Sequence, residues 1–263
     1  MKKQYEIPTN DVADEFRRCW QAAGRHISKQ VGKNALVFFR AHLVPPFLEH
    51  LSFRIGNQIF FVHITDDENT LSKPSTLEAT MRIAEIANGI PCVMKMQRNS
   101  LDWEPMHIGW GLTHAISNED ISPLELVSEE KIEISDWELQ DFAVQIIRNH
   151  IEENGNTVYS WCSYPEINPQ IWYVDDEENH YYVIVRAVRY PASEAELPSN
   201  IAHIIESCKH KSNTGYFASI SVSNAEQDPS ATIEKRNNLL LWRGHGMLVN
   251  FNGLLPLDQT RIQ

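Results

Sequence analysis

Apolar residues recur at helical spacing in two segments of the chain. In the first, the periodic positions predict an amphipathic helix over residues 11–30. The second segment opens with Ser135 and Glu138, a pair typical of a capping box, and predicts a helix over residues 136–154 that ends at Gly155. Two similar helices therefore begin two stretches of the chain.

The segments after the two predicted helices follow the same order. Each helix precedes a strand-like run, a proline-containing loop, two further strand-like runs, a short helix and another strand. The spacing agrees as well, because 16 positions separate Pro74 from Ile90 and also Pro198 from Thr214. The predicted elements are strands 35–40, 51–55 and 58–64, helix 77–87 and strand 90–97 in the first stretch, and strands 157–161, 171–174 and 181–188, helix 201–208 and strand 214–223 in the second.

This order predicts an α/β protein with mixed sheets, built from two diverged copies of an α-β-β-β-α-β domain, residues 1–131 and 132–263. Each copy also has a glycine-containing segment, Gly109–Leu112 and Gly244–Met247, which predicts a strand whose backbone is bulged or closely approached. The alternative is a chance similarity, since alternating helices and strands are common to α/β proteins.

Composition places the chain among ordinary globular proteins and restricts its partners. Of its 263 residues, 42% are hydrophobic and 22% are charged, which excludes the disordered, collagenous and disulfide-rich classes. Asp and Glu number 35 against 23 Lys and Arg, so the formal net charge is −12. Since duplex binding relies on neutralising phosphates with basic residues, we expect no non-specific binding of nucleic acid and favour a protein partner.

The sequence indicates a soluble protein of the cytoplasm. Residues 1–8 include two lysines but no apolar stretch typical of a secretory signal follows them, and no apolar run approaches the roughly 20 residues that span a bilayer. We therefore expect no membrane partner. The four cysteines stand far apart without a C-x-x-C pair, which favours buried reduced thiols at Cys19, Cys92, Cys162 and Cys208.

The order helix, three strands, helix, strand resembles the common core of the restriction-endonuclease-like, PD-(D/E)xK superfamily. The resemblance implies an acid after a proline at the second strand, and an acid, a spacer and a lysine on the third, which together bind a divalent metal for phosphodiester hydrolysis. At these places the second copy has Gln170 and the run 185–188 (VRAV), and the first copy has Ser52 and the run 62–65 (VHIT).

The residues at these places do not suit metal-assisted hydrolysis. Magnesium needs carboxylate ligands, which glutamine, serine, arginine and threonine cannot supply. We therefore expect no catalytic residue, no bound metal and no cofactor. The alternative is a nuclease whose ligands have moved to neighbouring acids, for which the candidates are Glu49, Asp66, Glu166 and Asp175.

Arg186 is the most informative candidate for a binding site. It interrupts the apolar run 181–188, and an unpaired charge inside a sheet is costly. We expect the second predicted helix to cover the face of the strand that carries Arg186, so that Glu138 or Asp141, or else a bound anion, meets the guanidinium. A position at the rim of the strand is the alternative. In the first copy, His63 falls near the equivalent place.

The remaining candidates lie beside the glycine-containing segments. Trp110 and Trp242 are interpreted as core anchors or as interface anchors, since tryptophan is enriched where proteins bind partners. His245 lies inside the second segment and is a further candidate binding residue. The histidine spacing matches no zinc pattern. Cys162 is the one cysteine at the edge of a predicted loop, where nucleophilic catalysis would need a histidine beside it.

These features predict a binding or regulatory protein without catalytic activity that engages another macromolecule. One alternative is a metal-dependent hydrolase or nuclease with relocated ligands. A second is a small-molecule sensor with its pocket between the two halves, since clefts often form at domain junctions. The oligomeric state stays open.

Overall fold

The structure, a computed structural model, describes residues 13–31, 38–40, 51–68, 71, 76–100, 102–226 and 240–257. The chain divides into two compact units, Met1–Lys131 (unit 1) and Ile132–Gln263 (unit 2). Of the features predicted from the sequence, Glu49, Pro74 and part of strand 35–40 lie outside the described residues. Each unit combines helices with a mixed sheet in the order α-β-β-β-α-β, which confirms the predicted fold class.

Unit 1 is built around one mixed sheet of seven strands within the described residues. Its second and third strands form a hairpin that turns at Gly56, where a φ of 55° suits a two-residue hairpin loop. A short 3-10 helix, Pro123–Leu126, follows the last strand. In chain order the other elements are α1 (Asp14–Val31), β1 (Phe38–Arg40), β2 (Leu51–Ile55), β3 (Gln58–Asp66), α2 (Leu77–Ile86), β4 (Ile90–Arg98), β5 (Trp103–Pro105), β6 (Leu112–His114) and β7 (Asp120–Ile121).

Unit 2 repeats this order around a mixed sheet of six strands within the described residues. The predicted capping box is confirmed, because Ser135 Oγ accepts from the N–H of Glu138 at 3.1 Å and Glu138 Oε2 accepts from the N–H of Ser135 at 2.9 Å. The elements of unit 2 are α3 (Asp136–Glu153), β8 (Thr157–Trp161), β9 (Ile171–Val174), β10 (His180–Arg189), α4 (Ile201–Cys208), β11 (Gly215–Asn224), β12 (Met247–Phe251) and β13 (Leu255–Pro256).

The two sheets share their strand order and strand directions. The path is β1-β2-β3-β4-β6 in unit 1 and β8-β9-β10-β11-β12 in unit 2. In each path the third and fourth strands are parallel, and every other pair is antiparallel. A parallel pair needs a crossover connection, which contains α2 in unit 1 and α4 in unit 2. Short extra strands complete the sheets, with β5 beside β4, β7 beside β6 and β13 beside β11.

The central parallel strands are buried on both faces, because a helix packs on each side. In unit 1, α1 packs on the face of β3 that carries Val62 and Ile64, and α2 packs on the other face. In unit 2, α3 packs against Val185 and its neighbours, whereas α4 packs against Tyr182 and Ile184. Alternation along β10 therefore separates the residues that contact α3 from those that contact α4.

The glycine-containing segments lie in turns. Gly109 and Gly111 have φ of 76° and 70° immediately before β6, and Gly244 has φ of 80° shortly before β12. A strand begins only at the last residue of each segment, Leu112 and Met247, so the prediction that the glycines belong to the strands is wrong. A positive φ interrupts the extended conformation. The predicted close approach is present at Gly111, where a Cβ would stand 2.5 Å from the Cβ of Pro105.

All four cysteines are free and buried, as the sequence predicts. Burial raises the pKa of the Cys19 thiol to about 12 and that of the Cys208 thiol to about 11. The thiolate form is therefore disfavoured at both positions. In the described ranges, no helix is both long and apolar enough to cross a bilayer.

Candidate functional site

The candidate site is a cavity at the carboxyl ends of the parallel strands β3 and β4 in unit 1. Its volume is about 770 Å³. Ligands of α/β proteins commonly bind at the carboxyl ends of parallel strands, where loops and helix N-termini converge. We call it the β3–β4 cavity, and its polar lining includes His63, Thr65, Asp66, Lys95, His107 and Thr113.

A row of polar side chains on the sheet forms the floor of this cavity. Alternation puts His63 and Thr65 of β3 on the same face, which is the face that α2 covers. In the strand register Thr65 lies beside Lys95, and Val93 lies between His63 and Thr113. His63, Thr65 and Thr113 are no more than 8% exposed, whereas Lys95 is exposed. The Lys95 ammonium group is thus the accessible cation of a largely buried polar row.

The face of the sheet that forms the floor becomes apolar away from the cavity. Towards the amino ends of the strands the same face carries Phe61, which packs so tightly on Gly89 that a Cβ there would stand 2.6 Å from the phenyl ring. The cap of α2 is Thr76, whose Oγ1 accepts from the N–H of Ala79 at 3.2 Å. Thr76 also lines the cavity, so the positive end of the α2 dipole borders it.

The charged groups of the cavity differ in how far they are already engaged. Asp66 is 4% exposed and accepts from the N–H of Leu71 at 3.1 Å. On the wall, His107 Nδ1 lies 3.2 Å from Asp120 Oδ1. The Lys95 side chain, in contrast, forms no hydrogen bond or ion pair in the part of the chain that the structure describes. An available ammonium group beside hydroxyl and imidazole groups favours a ligand that brings an anionic group.

Of the candidate residues from the sequence, His63 and the candidate metal ligand Asp66 line the cavity. Trp110 lies in the unit 1 core at 9% exposure, with its ring stacked 6.4 Å from that of Phe53. Sequence reasoning missed Lys95 and His107. Lys95 carried a usable signal, because it interrupts the apolar run 90–96 as Arg186 interrupts its own strand. His107 carried none, since it lies in a loop.

The prediction that Glu138 or Asp141 holds Arg186 is wrong. Both acids belong to α3, which packs on one face of β10, whereas alternation places Arg186 with Ile184 on the face that α4 covers. The guanidinium instead donates to side-chain amide oxygens, from Nη1 to Gln170 at 3.0 Å and from Nη2 to Asn168 at 2.7 Å. Burial lowers the pKa of Arg186 from its ordinary value.

The pairing of β10 with β9 stops at Val183. Beyond it, two glutamine side chains accept hydrogen bonds from the backbone of β10. Gln170 Oε1 accepts from the N–H of Val185 at 2.9 Å, and Gln140 Oε1 accepts from the N–H of Ala187 at 3.2 Å. Gln140 also donates to the carbonyl of Val185 at 2.8 Å. Gln170 is fully buried and Gln140 is 4% exposed. The two segments of unit 2 that were compared with the nuclease motif are therefore in direct contact.

Glu138 forms a buried ion pair that sequence reasoning missed. Arg243 donates from Nε to Glu138 Oε1 and from Nη2 to Glu138 Oε2, both at 2.8 Å. The side chains are 0% and 10% exposed for Arg243 and Glu138, respectively. A signal was present in the sequence, because Arg243 ends the apolar run 239–242.

The remaining candidate residues lie in unit 2 and have local partners. Asp141 is buried and accepts a hydrogen bond from the hydroxyl of Ser163. His245 Nδ1 lies 3.0 Å from Glu226 Oε1. Trp242 is partly buried. These contacts stabilise the fold of unit 2 and assign no ligand to it.

The acids considered as relocated metal ligands have other surroundings. Asp175 accepts from the backbone N–H groups of Glu177 and Asn179 at 3.0 and 2.9 Å, and hydrogen bonding, above all from the Asn179 side chain, holds the pKa of its carboxyl below the usual range. Glu166 is exposed. Among the described residues, no group of three or more His, Cys, Asp or Glu side chains could hold a metal ion.

A family comparison covers part of unit 2. Residues 137–257 match DUF8840, a domain of unknown function. The DUF8840 match runs from the first turn of α3 to just beyond β13, so it spans most of unit 2 and just under half of the chain. The β3–β4 cavity lies outside the matched residues. No curated protein and no solved structure matches the chain.

Proposed function

We propose that this chain is a binding protein without catalytic activity, and that its β3–β4 cavity holds a small polar ligand with an anionic group. The observation that carries the proposal is the row of polar side chains on the cavity floor with an available Lys95. A volume of about 770 Å³ lies within the range typical of small-molecule sites, about 300–1,000 Å³. The proposed pocket lies within unit 1, and not between the two halves as the sensor alternative supposed.

Unit 2 supplies an internal comparison that supports the proposal. On the face of its sheet covered by α4, Ser219 Oγ accepts from the N–H of Ala195 at 2.7 Å, and Ser221 Oγ donates to the carbonyl of Ala192 at 2.6 Å. In unit 2, the backbone of residues 192–195 therefore forms hydrogen bonds with the polar side chains of that face. In unit 1, the Lys95 side chain of the corresponding strand has no such partner among the described residues.

The absence of catalysis is proposed from the contacts in unit 2. If unit 2 is a diverged member of the restriction-endonuclease-like superfamily, Gln170 stands where an acid would be needed, and Gln140 of α3 contacts the strand that would carry the rest of the motif. Both amides are buried and hydrogen-bonded to the backbone of β10. A neutral amide that is already engaged provides neither a metal ligand of the required charge nor a general base. We also place the protein in the cytoplasm, which the four free, buried cysteines support.

Isothermal titration calorimetry of the whole chain with inorganic phosphate and, separately, with succinate tests the ligand proposal. We expect saturable binding of at least one of these anions. Lys95→Gln should weaken that binding by about tenfold or more, because it removes a charge-assisted hydrogen bond. Lys209→Gln is the matched control, since Lys209 is a partly exposed lysine of unit 2 paired with Glu206. Absence of saturable heat with both anions, or equal affinity in wild type and Lys95→Gln, contradicts the proposal.

A second candidate function, binding of a protein, is favoured by a separate observation at the edge of the unit 2 sheet. There, β12 presents exposed apolar side chains, including Leu248 and Val249. This surface matches the protein partner expected from the sequence.

A further inference from the structure

One edge of the unit 2 sheet is formed by a continuous uncharged segment. Residues 246–257 contain β12 and β13, both paired with β11, and include no Asp, Glu, Lys, Arg or His. Leu248, Val249 and Leu255 are 57%, 39% and 45% exposed, and we call this surface the apolar edge.

The backbone of β12 has hydrogen-bonding groups directed away from the sheet. The N–H of Ala225 donates to the carbonyl of Gly246 at 2.9 Å, next to the antiparallel ladder of β11 and β12. Since residues of an antiparallel ladder alternate in the direction of their hydrogen bonds, this contact identifies which ones point outward. They are Met247, Val249 and Phe251. Within the described residues, no further strand pairs with this outer side of β12.

The comparable edges of the two sheets are covered or guarded. In unit 1, β7 pairs with the outer side of β6, the strand that corresponds to β12. The opposite edge of unit 2, β8, has a register irregularity, and cations lie over its rings: Lys211 is 4.4 Å from the ring centre of Tyr159, and Arg148 is 4.3 Å from that of Trp161. Bulges and charges are devices that prevent edge pairing in natural sheets. β12 has no charge and no register irregularity in its ladder with β11.

We infer that β12 pairs with β12 of a second copy of this chain, antiparallel and about a two-fold axis at Val249. A two-fold interface requires a surface that complements itself. The outward groups of residues 247 and 251 would face each other across the axis, and Val249 would face its own copy. The three facing pairs provide about six backbone hydrogen bonds. The side chains of the two Val249 residues then meet directly, and the two sheets become continuous.

The charge of the chain favours this surface for self-association. A net charge of −12 makes two copies repel one another at long range, so a stable contact has to avoid placing acids together. The apolar edge meets this condition over twelve residues. The surface that a five-residue edge strand can bury is smaller than the standard protein interface of about 800 Å² per partner. The dimer is therefore weak and depends on concentration.

Analytical ultracentrifugation of the whole chain between about 1 and 200 µM tests the inference. We expect the average mass to rise with concentration towards that of two chains. Val249→Lys should weaken association at least about tenfold, because it places like charges on the axis. Thr157→Lys is the matched control, since Thr157 is an exposed residue of the opposite edge strand, and it should associate as wild type does.

Disulfide cross-linking tests the same pairing if a charged variant fails to fold. Val249→Cys should form a disulfide-linked dimer on mild oxidation, because the paired Cα atoms would be about 5.5 Å apart. Thr157→Cys should not form such a dimer. The four native thiols are buried. A wild-type mass of one chain at every concentration overturns the inference. So does a folded Val249→Lys variant that associates like wild type, or equal cross-linking of the two cysteine variants.

Discussion

Glu138 combines two roles in one side chain. Its carboxylate completes the capping box at Ser135 and also accepts both hydrogen bonds from Arg243. Helix capping and ion pairing are usually considered separately, but here the acid that starts α3 also neutralises a buried guanidinium. Because both partners are almost fully buried, the loss of either one costs more than the pair contributes as a whole.

We expect Glu138→Ala to destabilise unit 2 by about 3–5 kcal/mol, because it leaves the buried guanidinium of Arg243 without its carboxylate. Arg243→Ala should also be costly, and the double variant should cost less than the sum of the single variants. Urea denaturation of the four proteins measures this coupling. The more exposed pair Lys209 and Glu206 is the control, with an expected coupling of about 0–1 kcal/mol. Additive costs for Glu138 and Arg243 would contradict the argument.

Arg186 shows what a pattern within one strand can predict about a site. The pattern indicated a partly buried cation that needs partners, and hydrogen-bonding partners are present. Alternation defines two faces of a strand, but it does not say which helix covers each face, so Glu138 and Asp141 were wrong partners. The actual partners, Asn168 and Gln170, approach through the conformation of a loop, for which the sequence has no periodic signal.

Elements whose signals are local were largely predictable. α3 begins at its capping box and ends before Gly155, whose φ is 84°. The turn at Gly56 likewise lies where the sequence predicts it. The short strands β5 and β7 were not predicted, because strands of two or three residues are too short to show an alternating pattern of apolar and polar positions.

Two glycines in regular elements should respond in opposite directions to alanine. Gly24 lies within α1, and apart from the helix backbone and its chain neighbours no described atom lies within 4 Å of an added Cβ, so Gly24→Ala should stabilise unit 1 by about 0.5–1 kcal/mol. Gly215 begins β11, where an added Cβ would overlap the ring of Tyr182, so Gly215→Ala should destabilise unit 2 by about 1–3 kcal/mol. Urea denaturation checks both. A neutral Gly215→Ala would mean that the tyrosine ring moves aside without cost.

At the level of the whole molecule, the repeated order of elements was predictable from the sequence and the cavity was not. The order follows from spacing along the chain. The cavity floor depends on the register of β3, β4 and β6, which brings Thr65 beside Lys95 and aligns His63 with Thr113 through long-range pairing. The two units have the same strand order, yet their similarity could not show that the Lys95 side chain has no partner among the described residues.

The net charge of the whole chain leads to a prediction about nucleic acid. At −12, the chain repels phosphate at long range. We expect random duplex DNA to bind no more tightly than roughly 1 µM at physiological salt. A filter-binding titration measures this, with lowered salt as the comparison. Retention of random duplex at nanomolar protein concentration would show that a local basic surface outweighs the total charge.

The two glutamines at the end of β10 also affect how amide protons there exchange with solvent. The N–H groups of Val185 and Ala187 donate to Gln170 and Gln140, and not to a neighbouring strand. Their protection from hydrogen exchange therefore reports on side chains from the loop before β9 and from α3, whereas the N–H groups paired with β9 report on the sheet. Opening of that loop and undocking of α3 can thus be followed separately, at two amides of one strand, without introducing any label.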